Sequence, residues 1–107
     1  MAVYLSQFSY TSEAWQAMVK NPQDRKAVLK EQLEKVGGKL ICFYYCYGEY
    51  DGMTVAEFPD TVTSVAAVIS TLMPGHLKGV KTTVLVTSEE AMAAMKKAQS
   101  LAYPAPK

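Results

Sequence analysis

The sequence predicts an α+β fold, a four-stranded antiparallel sheet with helices on one face, and three observations point to it. Two apolar, aromatic runs, Lys39–Tyr47 and Tyr50–Phe58, are joined through Gly48-Glu49 and read as a hairpin, with Gly48 free to take the positive φ of a type II′ turn. Two further strand-like runs, Ala2–Ser9 and Gly79–Thr87, lie near the two ends of the chain. Each is separated from the hairpin by a helical stretch long enough to cross over a sheet. The order is β-α-β-β-α-β-α, and its first six elements match the split βαβ, or ferredoxin-like, arrangement. Right-handed crossovers then put the first and third strands in the centre and the second and fourth at the edges.

The first run carries Val3, Tyr4, Leu5 and Phe8, as a central strand buried on both faces would. Thr11 is a suitable N-cap, Glu13 follows in the first turn, and Tyr10 can staple onto Trp15. Asn21-Pro22 interrupts this helix and restarts it with Asn21 as cap, and Leu29, Leu33 and Val36 recur at helical spacing until Gly37-Gly38 closes it. After the hairpin, Pro59-Asp60 caps a helix whose positions Val62, Val65, Ala66, Ile69 and Met73 are read as inward, and Pro74-Gly75 stops it. Thr87-Ser-Glu-Glu90 is a capping box for the last helix, and Tyr103–Lys107 is a short extended tail.

At 107 residues the chain holds one domain, residues 1–107, with a single core. Apolar residues make up 50% and charged residues 20%, an ordinary globular composition, and the net charge of +1 gives no reason to expect nucleic acid or an anionic membrane as partner. No apolar run approaches the ~20 residues that span a bilayer, and the N-terminus lacks a leader pattern, so a cytoplasmic location is expected. Cys42 and Cys46, four apart on one strand, lie roughly 13 Å from each other and are expected to stay reduced.

The hairpin fixes its own register: Cys46 opposite Asp51, Tyr45 opposite Gly52, Tyr44 opposite Met53, Phe43 opposite Thr54, Cys42 opposite Val55. Leu40, Cys42, Tyr44, Cys46, Asp51, Met53, Val55 and Glu57 then share one face, and Tyr45 covers Gly52 on the other. Both faces are apolar while helices cover only one, so a homodimer, sheet against sheet, is expected.

Gly48-Glu-Tyr50-Asp51 followed by Glu57-Phe-Pro59-Asp60 resembles the pattern of the GYD domain family, and the resemblance extends over nearly the whole chain. It implies a ferredoxin-like fold assembled as a dimeric α/β barrel, with no established activity; the wider group of such barrels includes cofactor-independent monooxygenases, isomerases, haem enzymes and ligand-sensing domains. Fold alone does not choose among them.

The candidate site residues are Tyr44, Cys46, Tyr50, Asp51 and His76. A carboxylate among apolar and aromatic neighbours suits a general acid or base, so Asp51 with a tyrosine could run a cofactor-independent oxygenase or isomerase reaction in a pocket between sheet and helices. Against this, Asp51 beside a tight turn commonly accepts backbone hydrogen bonds and pins the hairpin. His76, the one histidine, reads as an exposed loop residue, with a proximal haem ligand as the alternative. Tyr44, Tyr45, Tyr47 and Tyr50 would either line a pocket for an aromatic ligand or form core and interface. No cofactor or metal is called for, since no phosphate loop, nucleophile elbow or paired ligands are present. The first reading is therefore a homodimer, or a larger oligomer, that binds a small molecule or acts as a scaffold. An interaction module using the free edge of the second strand is a third.

Overall fold

The structure is a computed structural model that describes residues 2–107. Its elements are β1 (Ala2–Tyr10), α1 (Ser12–Lys20), α2 (Arg25–Glu34), β2 (Lys39–Tyr45), β3 (Gly52–Phe58), α3 (Thr61–Leu72), β4 (Leu77–Leu85) and α4 (Ser88–Ala98). The four strands form one antiparallel sheet in the order β2-β3-β1-β4, with the first and third strands central. This is the ferredoxin-like arrangement with a helix added after the last strand.

The hairpin register follows the sequence reading from Cys42↔Val55 to Tyr45↔Gly52, and Cys46 N–H donates to Asp51 O at 2.9 Å. The turn is built differently. Tyr47, not Gly48, takes the positive φ, at 39°, and Gly48 N–H donates to Tyr50 O at 3.0 Å. An even-numbered loop preserves the pairing whichever residue turns, so the register does not depend on the turn type. Farther along, a bulge at Ile41 shifts the ladder and puts Leu40 opposite Ala56. Leu40 therefore packs on the helix-side core instead of sharing a face with Cys42 and Tyr44.

The interruption between α1 and α2 is also displaced by a few residues. Asn21 closes α1, its N–H donating to Ala17 O, while Asp24 caps α2, its Oδ1 accepting from Ala27 N–H at 3.1 Å. After α2 the chain ends in a Schellman arrangement. Gly38 N–H reaches Leu33 O at 2.8 Å, Gly37 N–H reaches Glu34 O at 3.2 Å, and Gly37 takes φ +78°, which a side chain would disfavour.

The helix-side core is Tyr4, Leu33, Ala56 and Phe58, with Leu29, Leu40 and Ala67 packed on it. On β3 the alternation is complete: Gly52, Thr54, Ala56 and Phe58 are buried, and Met53, Val55 and Glu57 point the other way and are half-buried. With Val3 and Leu5 of β1 and Cys42 and Tyr44 of β2, they make an open sheet face that no helix covers. Tyr44 is 66% exposed there.

One helix departs from the sequence reading, and the last helix buries little of itself. α3 turns Ser64, Ala67 and Thr71 toward the sheet and leaves Val62, Val65, Ile69 and Met73 outward, at 50–80% exposure. The helix is apolar nearly all round, so its period alone does not choose a face. α4 leads away from the body: of its residues only Ala91 is even partly buried, and Met92 and Met95 are exposed. The radius of gyration is 17.3 Å, against about 13 Å for a closed domain of ~100 residues. Much apolar surface is thus left without a partner within the chain.

Candidate functional site

Asp51 sits where the hairpin meets the end of β1. Its N–H donates to Phe8 O at 2.9 Å, and its Oδ2 accepts from Tyr10 N–H at 2.8 Å and from the Trp15 indole Nε1–H at 3.3 Å. One carboxylate oxygen thus ties together the hairpin, the first strand and the first helix. These donors come from a strand end that lies beyond the β1–β3 ladder while still paired with β4, and from an indole packed edge-on against Tyr10, with ring centroids 5.2 Å apart. This geometry is that of a pin. Asp51 is also not among the residues lining the cleft described below.

The other residues singled out from the sequence lie apart from one another. Tyr44 stands on the open sheet face, and Tyr50 is half-buried in the turn. Exposed Cys46 directs its thiol at Tyr50 O, at 3.3 Å, and both cysteines are free. Tyr45 belongs to the helix side, in an aromatic cluster with Tyr10, Phe43, Trp15 and Tyr47; its ring is 5.3 Å from Phe43 and 6.1 Å from Tyr47, the latter nearly parallel at 10°. The ring over Gly52 is Phe8, where an added Cβ would come within 2.4 Å, and not Tyr45. Of the remaining motif residues, Gly48 shapes the turn, Glu57 lies on the open face opposite Lys39 and Val3, and Asp60 follows Pro59 as the cap of α3. The hydrogen bond from Thr63 N–H, 2.7 Å, lowers the Asp60 carboxyl below its ordinary range.

A cleft of about 670 Å³ opens between α2 and α3, with the helix side of β1 as its floor. Its size is that of a small-molecule site. Tyr4, Phe8, Leu29, Leu33, Phe58 and Val80 give it mainly apolar walls; Tyr10, Arg25 and His76 also line it, as do Lys35 and several serine and threonine side chains. The Tyr10 and His76 rings are 6.1 Å apart. The sequence reading put His76 in an exposed loop; it is instead half-buried, because its carbonyl accepts from Thr11 N–H at 2.9 Å and holds the loop against the start of α1. Burial, and then the charge of Arg25, hold the His76 imidazole below its usual value, so it is neutral at pH 7. Tyr10 is pushed well above the usual phenol range, by burial first and then by the neighbouring Tyr45 hydroxyl, and keeps its proton.

Tyr10 and Trp15 are read from the sequence only as a staple at the start of the first helix, which their packed rings match, and Arg25 is not singled out at all. With the helix read from Asn21, the sequence gives no signal at Arg25; only the structure makes it the first residue of α2, where the macrodipole favours an acid over a cation. Among the described residues, no group of three or more His, Cys, Asp or Glu is placed to hold a metal ion, and no helix is long and apolar enough to cross a membrane.

A family model for the GYD domain matches residues 4–95. Among solved structures, the chain is similar to MtbAldR, with a TM-score of 0.58 and 14% identity over 81% of this chain and 53% of that one. It is also similar to FFRP-DM1, with a TM-score of 0.53 and 14% identity over 80% of this chain and 100% of that one. The chain thus spans about half the length of MtbAldR and the whole of FFRP-DM1. At this identity the likeness concerns the fold. No curated protein matches the chain in sequence.

Proposed function

Starting from a chain that belongs to the GYD domain family, we propose that it is a small-molecule-binding domain that works as a homodimer, with its ligand in the cleft between the sheet and helices α2 and α3. The cleft carries this reading. It is large enough for a drug-sized ligand, its walls are mainly apolar, and polar groups converge within it, the combination that marks binding sites. The pinned carboxylate of Asp51 lies outside it, which favours binding over an Asp51-based reaction. Titration with an apolar probe, followed through methyl resonances, tests the reading by showing which side of the sheet responds.

The dimer rests on the open sheet face. Val3, Leu5, Cys42, Met53 and Val55 form a continuous apolar surface across three strands, and a surface of that kind marks an association site. Covering it with a second copy would close a barrel-like sandwich. Gel filtration with light scattering is expected to return the mass of two chains, near twice 11.8 kDa; a monomer at micromolar concentration would contradict the dimer.

A further inference from the structure

The cleft is chemically lopsided. From Tyr4 to Tyr10 its floor follows β1 for seven residues, about 20 Å, under walls that are mainly apolar. Arg25 opens α2 and, with Tyr10 and His76, stands at the β1 C-terminal side, because Tyr10 ends β1 and His76 precedes β4.

Arg25 is the unusual member of this group. It is half-buried, yet it occupies the first position of a helix that has no acid in its first turn, where the macrodipole opposes a cation. Its Nη1 donates to Gln23 Oε1 at 2.9 Å in an exposed hydrogen bond to a neutral acceptor, so this contact brings no carboxylate to the guanidinium. Asp24, next in the chain, is exposed and spends Oδ1 on capping Ala27 N–H. A guanidinium so placed supplies parallel N–H donors that match a carboxylate. The groups beside it add no second charge: the His76 imidazole is neutral and the Tyr10 hydroxyl keeps its proton. At this end of the cleft one cation with two neutral partners fits a head group carrying one negative charge; Lys35, the other cation lining the cleft, is exposed and lies ten residues on, just past the end of α2.

Resting on the reading of the cleft as a small-molecule site, we infer that its ligand is an elongated, otherwise apolar monocarboxylic acid, with the carboxylate on Arg25 beside Tyr10 and His76 and the tail along β1. The acid brings a carboxylate to Arg25, and the tail removes apolar wall from water.

The test is calorimetric titration of the whole protein with decanoate and with its neutral isostere decanamide, repeated on Arg25→Gln and Arg25→Lys, with circular dichroism to verify folding. Decanoate is expected to bind the wild type more tightly than decanamide. Arg25→Gln should weaken decanoate about tenfold or more and leave decanamide unchanged, and Arg25→Lys should fall between, since it keeps the charge and loses the fork. Should the Gln variant not fold, the Lys variant decides, because it must weaken decanoate more than decanamide. If decanamide binds as tightly as decanoate, or if folded Arg25 variants hold decanoate as the wild type does, the cleft remains a small-molecule site and the acid assignment is overturned. If neither compound binds the wild type, the assignment falls together with the reading it rests on.

Discussion

Gly52→Ala is expected to destabilise the protein by about 1–3 kcal/mol, the usual cost of overpacking a filled site. A Cβ at residue 52 would stand 2.4, 2.8 and 3.0 Å from three atoms of the Phe8 ring. The ring has little room to withdraw: Phe8 is 7% exposed, with the Tyr10 and Phe43 rings 5.4 and 5.7 Å away. The two residues are direct partners across β1 and β3, so the clash falls between the two central strands, at the hairpin end of their ladder. Thermal unfolding should show a midpoint lower by roughly 5–15 °C. Adding Phe8→Leu to Gly52→Ala should cost less than the sum of the two single changes, since the ring that clashes is gone. Strict additivity would mean that the Phe8 ring does not constrain residue 52.

The second large effect is expected at Asp51. Replacing it by Ala leaves Tyr10 N–H and Trp15 Nε1–H without their acceptor, and hydrogen bonds to a charged group are worth about 1.5–3 kcal/mol. Asp51→Ala should therefore unfold at distinctly lower denaturant. Asp51→Asn should lose less, because its amide oxygen can still accept from one of the two donors. The tryptophan emission of the folded Ala variant should shift to the red as Trp15, the single tryptophan, loosens from the strand end. An Ala variant as stable as the wild type, with unshifted emission, would show that Asp51 does not pin the hairpin.

The fold was largely legible in the sequence, and the site much less so. Strand order and hairpin register rest on chain connectivity and an even loop, and neither needs side-chain detail. The turn residue was misjudged because Gly48 is permissive without being required: Tyr47 takes the left-handed conformation instead. The face of α3 was misjudged because apolar residues surround the helix, and Ser64, buried at 4%, gives no apolar signal of its inward position. Asp51 was readable as a pin beside a turn, but its partners lie 41 and 36 residues away, on elements whose meeting only the fold reveals. The cleft is still less visible. It exists because α2 and α3 stand apart above β1, a distance that no pattern within either helix encodes.

The most direct test of the cleft as a binding site is a methyl-resonance titration of the protein with decanoate. Binding in the cleft predicts that Leu29, Leu33, Ala56, Ala67 and Val80 shift together and saturate with one affinity, while Val3, Leu5 and Val55 on the opposite face of the sheet stay in place. Shifts confined to Val3, Leu5 and Val55, or no saturable shift on the helix side, would contradict it.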